Sequence, residues 1–113
     1  MNIDPDVRGI AAHFGLDPVL IQAVVNAEGG GQAIVRAVQC SIPSVQTREK
    51  ALDVLCRSCV HALSDFMKKT APGSFVAFWQ ERWAPIGAAN DPQRLNGHWA
   101  KNVSQLSGWG SNA

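Results

Sequence analysis

Asp17-Pro18-Val19-Leu20-Ile21-Gln22-Ala23-Val24-Val25-Asn26-Ala27-Glu28-Gly29-Gly30-Gly31 is the stretch on which the reading of this chain turns. Asp17 offers an acceptor to the free N–H groups of a first helical turn, and Pro18 suits the next position because its missing N–H would go unpaired there anyway. Leu20, Ile21, Val24 and Val25 recur at helical spacing and define one apolar face. Three glycines in a row do not easily continue a helix, so it runs out at Gly29-Gly30-Gly31. Glu28 falls on the apolar face, seven positions after Ile21, four after Val24 and three after Val25. A carboxylate there is expected to be partly desolvated and to lie at the negative end of the helix dipole, and both effects raise its pKa. A proton donor working near neutral pH needs that environment. The spacing fits a solvated glutamate at a fraying helix end equally well.

The same signals extend in both directions. Asp4-Pro5 opens an earlier helix in which Val7, Ile10, Ala11 and Phe14 share a face, and Gly15 suits its stop. A third helical stretch covers roughly 32–38, and Pro43 closes the loop behind it. The longest helix is expected from about 45 to 69, with Leu52, Cys56, Cys59, Leu63 and Phe66 forming its core-facing stripe. Ser74 caps a further helix with an aromatic face of Phe75, Phe78, Trp79 and Trp83, ending at Pro85. A loop of small and polar residues leads to a short helix around 98–106 and a polar tail. No segment alternates with a two-residue period, so the expected class is all-α, a compact bundle of about five or six helices in one domain spanning 1–113.

Composition narrows the function classes. The 113 residues are 46% hydrophobic and 17% charged with a net charge of +1, which gives no bulk attraction to nucleic acid or membrane. Met1-Asn2-Ile3-Asp4-Pro5-Asp6 does not read as a secretory signal, and no run of about 18 apolar residues suggests membrane insertion. Synthesis in the cytoplasm is expected, so a target outside the cell must be reached by another route. Three cysteines make an odd count, and reduced thiols are expected.

Leu20 to Gly30 resembles the catalytic helix end of the lysozyme-like superfamily, notably soluble lytic transglycosylases, goose-type lysozymes and phage endolysins. In these a helix reading apolar-apolar-x-Ala-apolar ends in Glu followed by Ser or Gly. A second patch is similar to the tail of small phage-type and bacterial cell-wall hydrolases: Arg82-Trp83-Ala84-Pro85, then Asn90-Asp91-Pro92, Asn96, Trp99 and Asn102-Val103. The Ser-rich and Gly-Leu-Met-Gln segments typical of soluble lytic transglycosylases are not present. The resemblance implies a peptidoglycan-cleaving glycosidase without cofactor or metal, a monomer acting on glycan strands, with a phage or prophage origin suiting the missing export signal. It implies further that Glu28 is the acid and that the loop from Pro85 to Trp99 walls a saccharide cleft.

A two-carboxylate mechanism requires a second acid about 5 to 9.5 Å from the first. Asp91 is the candidate, being in the loop beside aromatic and amide residues, although Asn90-Asp91-Pro92 is also an ordinary turn and cap signal. Without a second acid, the substrate's N-acetyl group would act as nucleophile and the product would be a 1,6-anhydro sugar, as the resemblance to lytic transglycosylases implies. Trp83 and Trp99 are candidates to stack on sugar faces, and Asn90 and Asn96 to hydrogen-bond hydroxyl or acetamido groups. Trp79 fits the core better. Trp109, in the polar tail, reads as a late anchor or as disordered.

Three other readings stand beside this one. Cys56-x-x-Cys59, with His61 and Cys40, has the look of a zinc site, but both cysteines continue the stripe of Leu52 and Leu63 as small buried hydrophobes would. Residues 10–26 fit a helix-turn-helix, yet no Lys or Arg lies between Arg8 and Arg36 to replace DNA counterions. A non-catalytic lysozyme-like module for structure or glycan binding would have the same sequence pattern.

Overall fold

Gly15 ends the first helix in a left-handed conformation at φ 71°, which a side chain rarely adopts, and the chain turns there into the segment that carries Glu28. The structure, a computed structural model, describes residues 1–69, 73–84 and 95–110. Among them six α-helices form, with no strand: α1 (Pro5–Phe14), α2 (Pro18–Ala27), α3 (Ala33–Gln39), α4 (Arg48–Met67), α5 (Phe75–Trp83) and α6 (Trp99–Ser107). A 3-10 turn, Leu95–His98, leads into α6.

The caps follow the sequence in most places. Asp17 accepts from the Val19 amide, Thr47 from Lys50 and Ser74 from Ala77, each meeting a donor that its helix leaves free. Asp4 departs from the expectation. It precedes α1 but makes no side-chain cap bond, because its carboxylate is taken by Gln22 and Arg48. The longest helix begins at Arg48, later than expected, since Val45 is buried in the preceding loop and the Thr47 hydroxyl sets the first turn.

The core is one cluster. α4 packs against α1, α3 and α5, while α2 packs against α1 and most extensively against α6, which α5 also touches. Leu52, Cys56 and Cys59 of the expected stripe are buried, and Ala51, Leu55 and Ala62 widen it, because α4 is covered from three sides. Leu63 and Phe66 are only half-buried. In α2, every residue from Leu20 to Val25 is buried, including Gln22 at 3% exposure. The radius of gyration, 13.3 Å, is that of a compact chain of this length.

Aromatic packing fixes α5 and α6 relative to each other. Trp79 is fully buried, stacks on Phe75 with an interplanar angle of 22°, and meets Trp99 edge-on at 5.4 Å. Its indole N–H donates to Ser58 Oγ at 2.9 Å, which satisfies the one polar atom that the ring takes into the core.

Candidate functional site

Glu28 is the residue at which α2 stops, with φ −79° and ψ −8°, the last helical backbone before three glycines. Gly29, Gly30 and Gly31 all have positive φ, at 119°, 74° and 52°, so the turn after Glu28 is one that ordinary side chains would strain. A Cβ on Gly29 would meet the Ala33 Cβ at 3.2 Å, whereas at Gly30 and Gly31 it would meet nothing within 4 Å. The turn packs closely at Gly29, and there is open space where side chains at Gly30 and Gly31 would point. The last carbonyls of α2 are used within it: Gly29 N–H donates to Asn26 at 3.1 Å and Gly30 N–H to Val25 at 2.9 Å.

The Glu28 side chain is half-buried. Burial raises its pKa above the ordinary carboxylate value, and the Trp99 indole opposes that shift by a smaller amount. The indole N–H faces the carboxyl without reaching hydrogen-bond geometry, and among the described residues Trp99 Nε1 is buried with no bonded partner. The arrangement can hold a proton on Glu28 and then steady the carboxylate that remains once the proton has left.

The other residues singled out in the sequence are distributed differently. Trp99 is 4% exposed, so its ring offers no face for stacking on a sugar; its use at this site is the N–H that it turns toward Glu28. Trp83 is half-buried and lines a cavity of about 200 Å³ between α3, α4 and α5, together with Val38, Ile42, Val54, Ser58 and Arg82. Asn96 is half-buried in the 3-10 turn, and its backbone carbonyl accepts from the Gln80 side chain. Asn90 and Asp91 lie outside the described residues. Trp79 is core, and Trp109 is an anchor, donating to Asp17. A groove of about 270 Å³ opens beside the last turn of α2, lined by Asn26, Ala27, Asn102, Gln105 and Leu106. Its three amides can donate to and accept from hydroxyl and acetamido groups without carrying charge.

A polar network around Arg48 escaped the sequence reading. Arg48 Nη1 donates to the Gly31 carbonyl at 2.6 Å, Nη2 to Asp4 at 2.7 Å and Nε to Asp6 at 2.8 Å. Gln22, buried in α2, accepts from the Asp4 amide and donates to the Asp4 carboxylate and to Asn26 Oδ1. The bonds from Arg48 and Gln22 hold the Asp4 carboxyl below its ordinary range. Two sequence features mark single members of the network without joining them: a glutamine inside an otherwise apolar face, and an arginine in the first turn of a helix, where the dipole disfavours a cation.

The rival sites fare as follows. Cys56 and Cys59 are buried in the core while Cys40 is exposed, and among the described residues no three or more His, Cys, Asp or Glu side chains come together as a set that could hold a metal ion. α2, which would be the recognition helix of a helix-turn-helix, is buried from Leu20 to Val25 and leaves little surface to lay in a DNA groove. Among the described residues, no helix is long and apolar enough to cross a membrane. Against known proteins, the chain matches no family model, no curated sequence and no solved structure.

Proposed function

We propose that this chain is a peptidoglycan-cleaving glycosidase of the lysozyme-like kind, with Glu28 as general acid and base. The observation that carries this reading is the half-buried Glu28 carboxyl with its raised pKa, set at a helix end and followed by a turn without side chains. Protonated Glu28 donates to the glycosidic oxygen as the bond to the anomeric carbon breaks. The resulting carboxylate, facing the Trp99 N–H, then takes a proton from the group that attacks the sugar. If that group is water, the product is hydrolysed. If it is the sugar's own C6 hydroxyl, with the N-acetyl oxygen assisting first, the product is a 1,6-anhydro sugar. Asp91 is the proposed second carboxylate for the first route; the second route needs none. The amide-lined groove beside Asn26 and Asn102 suits a neutral, hydroxyl-rich strand. Action on the cell wall from the cytoplasm requires release through another route, as in a phage or prophage lysis system.

The test is turbidity loss of purified peptidoglycan with the wild type and with Glu28→Gln. Lysis by the wild type and none by the variant, with glycan binding retained by both, is the expected result. Mass spectrometry of the fragments distinguishes the routes, since the anhydro product is lighter than the hydrolysed one by one water. Equal lysis by both proteins removes Glu28 from the mechanism, and binding without lysis by the wild type leaves a non-catalytic glycan-binding module.

A further inference from the structure

The polar network grips the chain on both sides of Glu28, by a backbone carbonyl on one and a side chain on the other. On one side Arg48 holds the carbonyl of Gly31, three positions after Glu28. On the other, Gln22 holds the side chain of Asn26, two positions before it. Both arms meet at Asp4, whose carboxylate accepts from Arg48 at 2.7 Å and from Gln22 at 3.2 Å. We propose that Arg48 is a positioning residue for Glu28, tying the triple-glycine turn to the N-terminal segment so that the carboxyl stays against Trp99. The proposal rests on the reading of Glu28 as the acid.

The physical need is plain. Three glycines have more conformational freedom to lose than any other three residues, and while Gly29 and Gly30 are bonded to Asn26, Val25 and Ala33, the bond at the Gly31 carbonyl comes from Arg48. Arg48 supplies a rigid fork that binds a carbonyl and two carboxylates at once, which a lysine ammonium does not match. Its side chain is only 16% exposed, and it occupies the first turn of α4 against the helix dipole. Asp4 and Asp6 offset the unfavourable position, so the guanidinium is held there by the network and not by its own helix.

Arg48→Gln and Arg48→Lys are compared with the wild type by following the carboxyl carbon of Glu28 by NMR through a pH titration, and by steady-state kinetics on soluble glycan strands. Removing a cation would by itself raise a neighbouring carboxyl's pKa. Loosening of the turn lets water reach Glu28 and lowers it, so the two effects have opposite signs. The expected result for Arg48→Gln is a fall of the Glu28 pKa toward the ordinary value, with kcat reduced roughly ten- to a hundredfold and KM little changed. Arg48→Lys should fall between that variant and the wild type. An unchanged or raised Glu28 pKa in folded Arg48→Gln overturns the proposal. If Arg48→Gln does not fold, Asp6→Asn and Asp6→Ala are compared: both remove a negative charge, which by itself lowers a neighbouring carboxyl's pKa, but only alanine also removes the acceptor for Arg48 Nε, so a larger fall with alanine is expected and equal shifts overturn the proposal. A lowered pKa in a protein whose wild type cleaves no glycan sustains the positioning role and sinks the enzymatic reading instead.

Discussion

Trp109 and Asp17, 92 positions apart in sequence, are joined by a hydrogen bond of 3.0 Å from the indole N–H to Asp17 Oδ2. The other oxygen of the same carboxylate accepts from the Val19 amide at 2.9 Å and caps α2. The residue that starts the Glu28 helix thus also docks the tail, which Ser74 holds again by donating to the Gly110 carbonyl at 2.6 Å.

Asp17→Ala therefore removes two bonds at once. The lost cap is expected to cost about 0.5–2 kcal/mol and the lost indole acceptor about 0.5–1.5 kcal/mol more. Trp109→Phe keeps a ring beside Phe75 but loses only the second bond. Denaturant unfolding of both single variants and the double variant measures the coupling, and a coupling energy of zero would show that the tail is not docked on α2 in solution.

The pH dependence at Glu28 has a definite sign. Its folded pKa is raised above 4.5, so between that value and the folded pKa the native state binds more protons than the unfolded chain. Stability from this group is then fully present below pH 4.5 and is lost as pH rises through the folded pKa. Glu28→Gln, which cannot ionise, is expected to melt higher than the wild type at neutral pH and to lose that advantage in acid. Each unit of upward shift corresponds to about 1.4 kcal/mol. A variant less stable than wild type at pH 7 would mean that the carboxylate is not desolvated. The Asp4 carboxyl runs the other way: its pKa is lowered below 3.8, so its stabilising effect is present above that value and disappears as pH falls through the folded pKa.

Helix order and the burial of α2 were legible in the sequence because capping and 3.6-residue periodicity are local properties, and the Asp17-Pro18 start and the glycine stop bracket Glu28 without reference to the rest of the chain. The Arg48 network was not legible, since it joins Asp4, Gln22, Gly31 and Arg48 from four separate segments, and no spacing rule links them. Trp99 shows the same limit. Its position beside a polar loop suggested a sugar platform, but whether a tryptophan faces solvent or core depends on what packs over it, and here Trp79 meets it edge-on.

The three cysteines are expected to differ in reactivity. Cys40 is exposed, whereas Cys56 and Cys59 are buried with thiols raised to about 12. A thiol-specific chromogenic reagent at neutral pH should titrate one thiol in the native protein and all three in denaturant. Rapid labelling of a second thiol without denaturant would show that the face of α4 carrying Cys56 and Cys59 opens.

Ser58 offers the sharpest test of the aromatic core, because its hydroxyl accepts from the buried Trp79 N–H at 2.9 Å and also lines the cavity beside Trp83. With Ser58→Ala, water from that cavity can follow the lost hydroxyl and accept from the indole, so the cost should stay at about 1 kcal/mol. Ser58→Val fills the same space with methyl groups and excludes the water, leaving the indole N–H unpaired at a cost of about 2–3 kcal/mol. The expected order by thermal unfolding is wild type, Ala, Val. Transfer of apolar area alone would favour valine over alanine, so an inverted order would mean that the Trp79 hydrogen bond contributes nothing to holding the ring against which Trp99, and through it Glu28, is set.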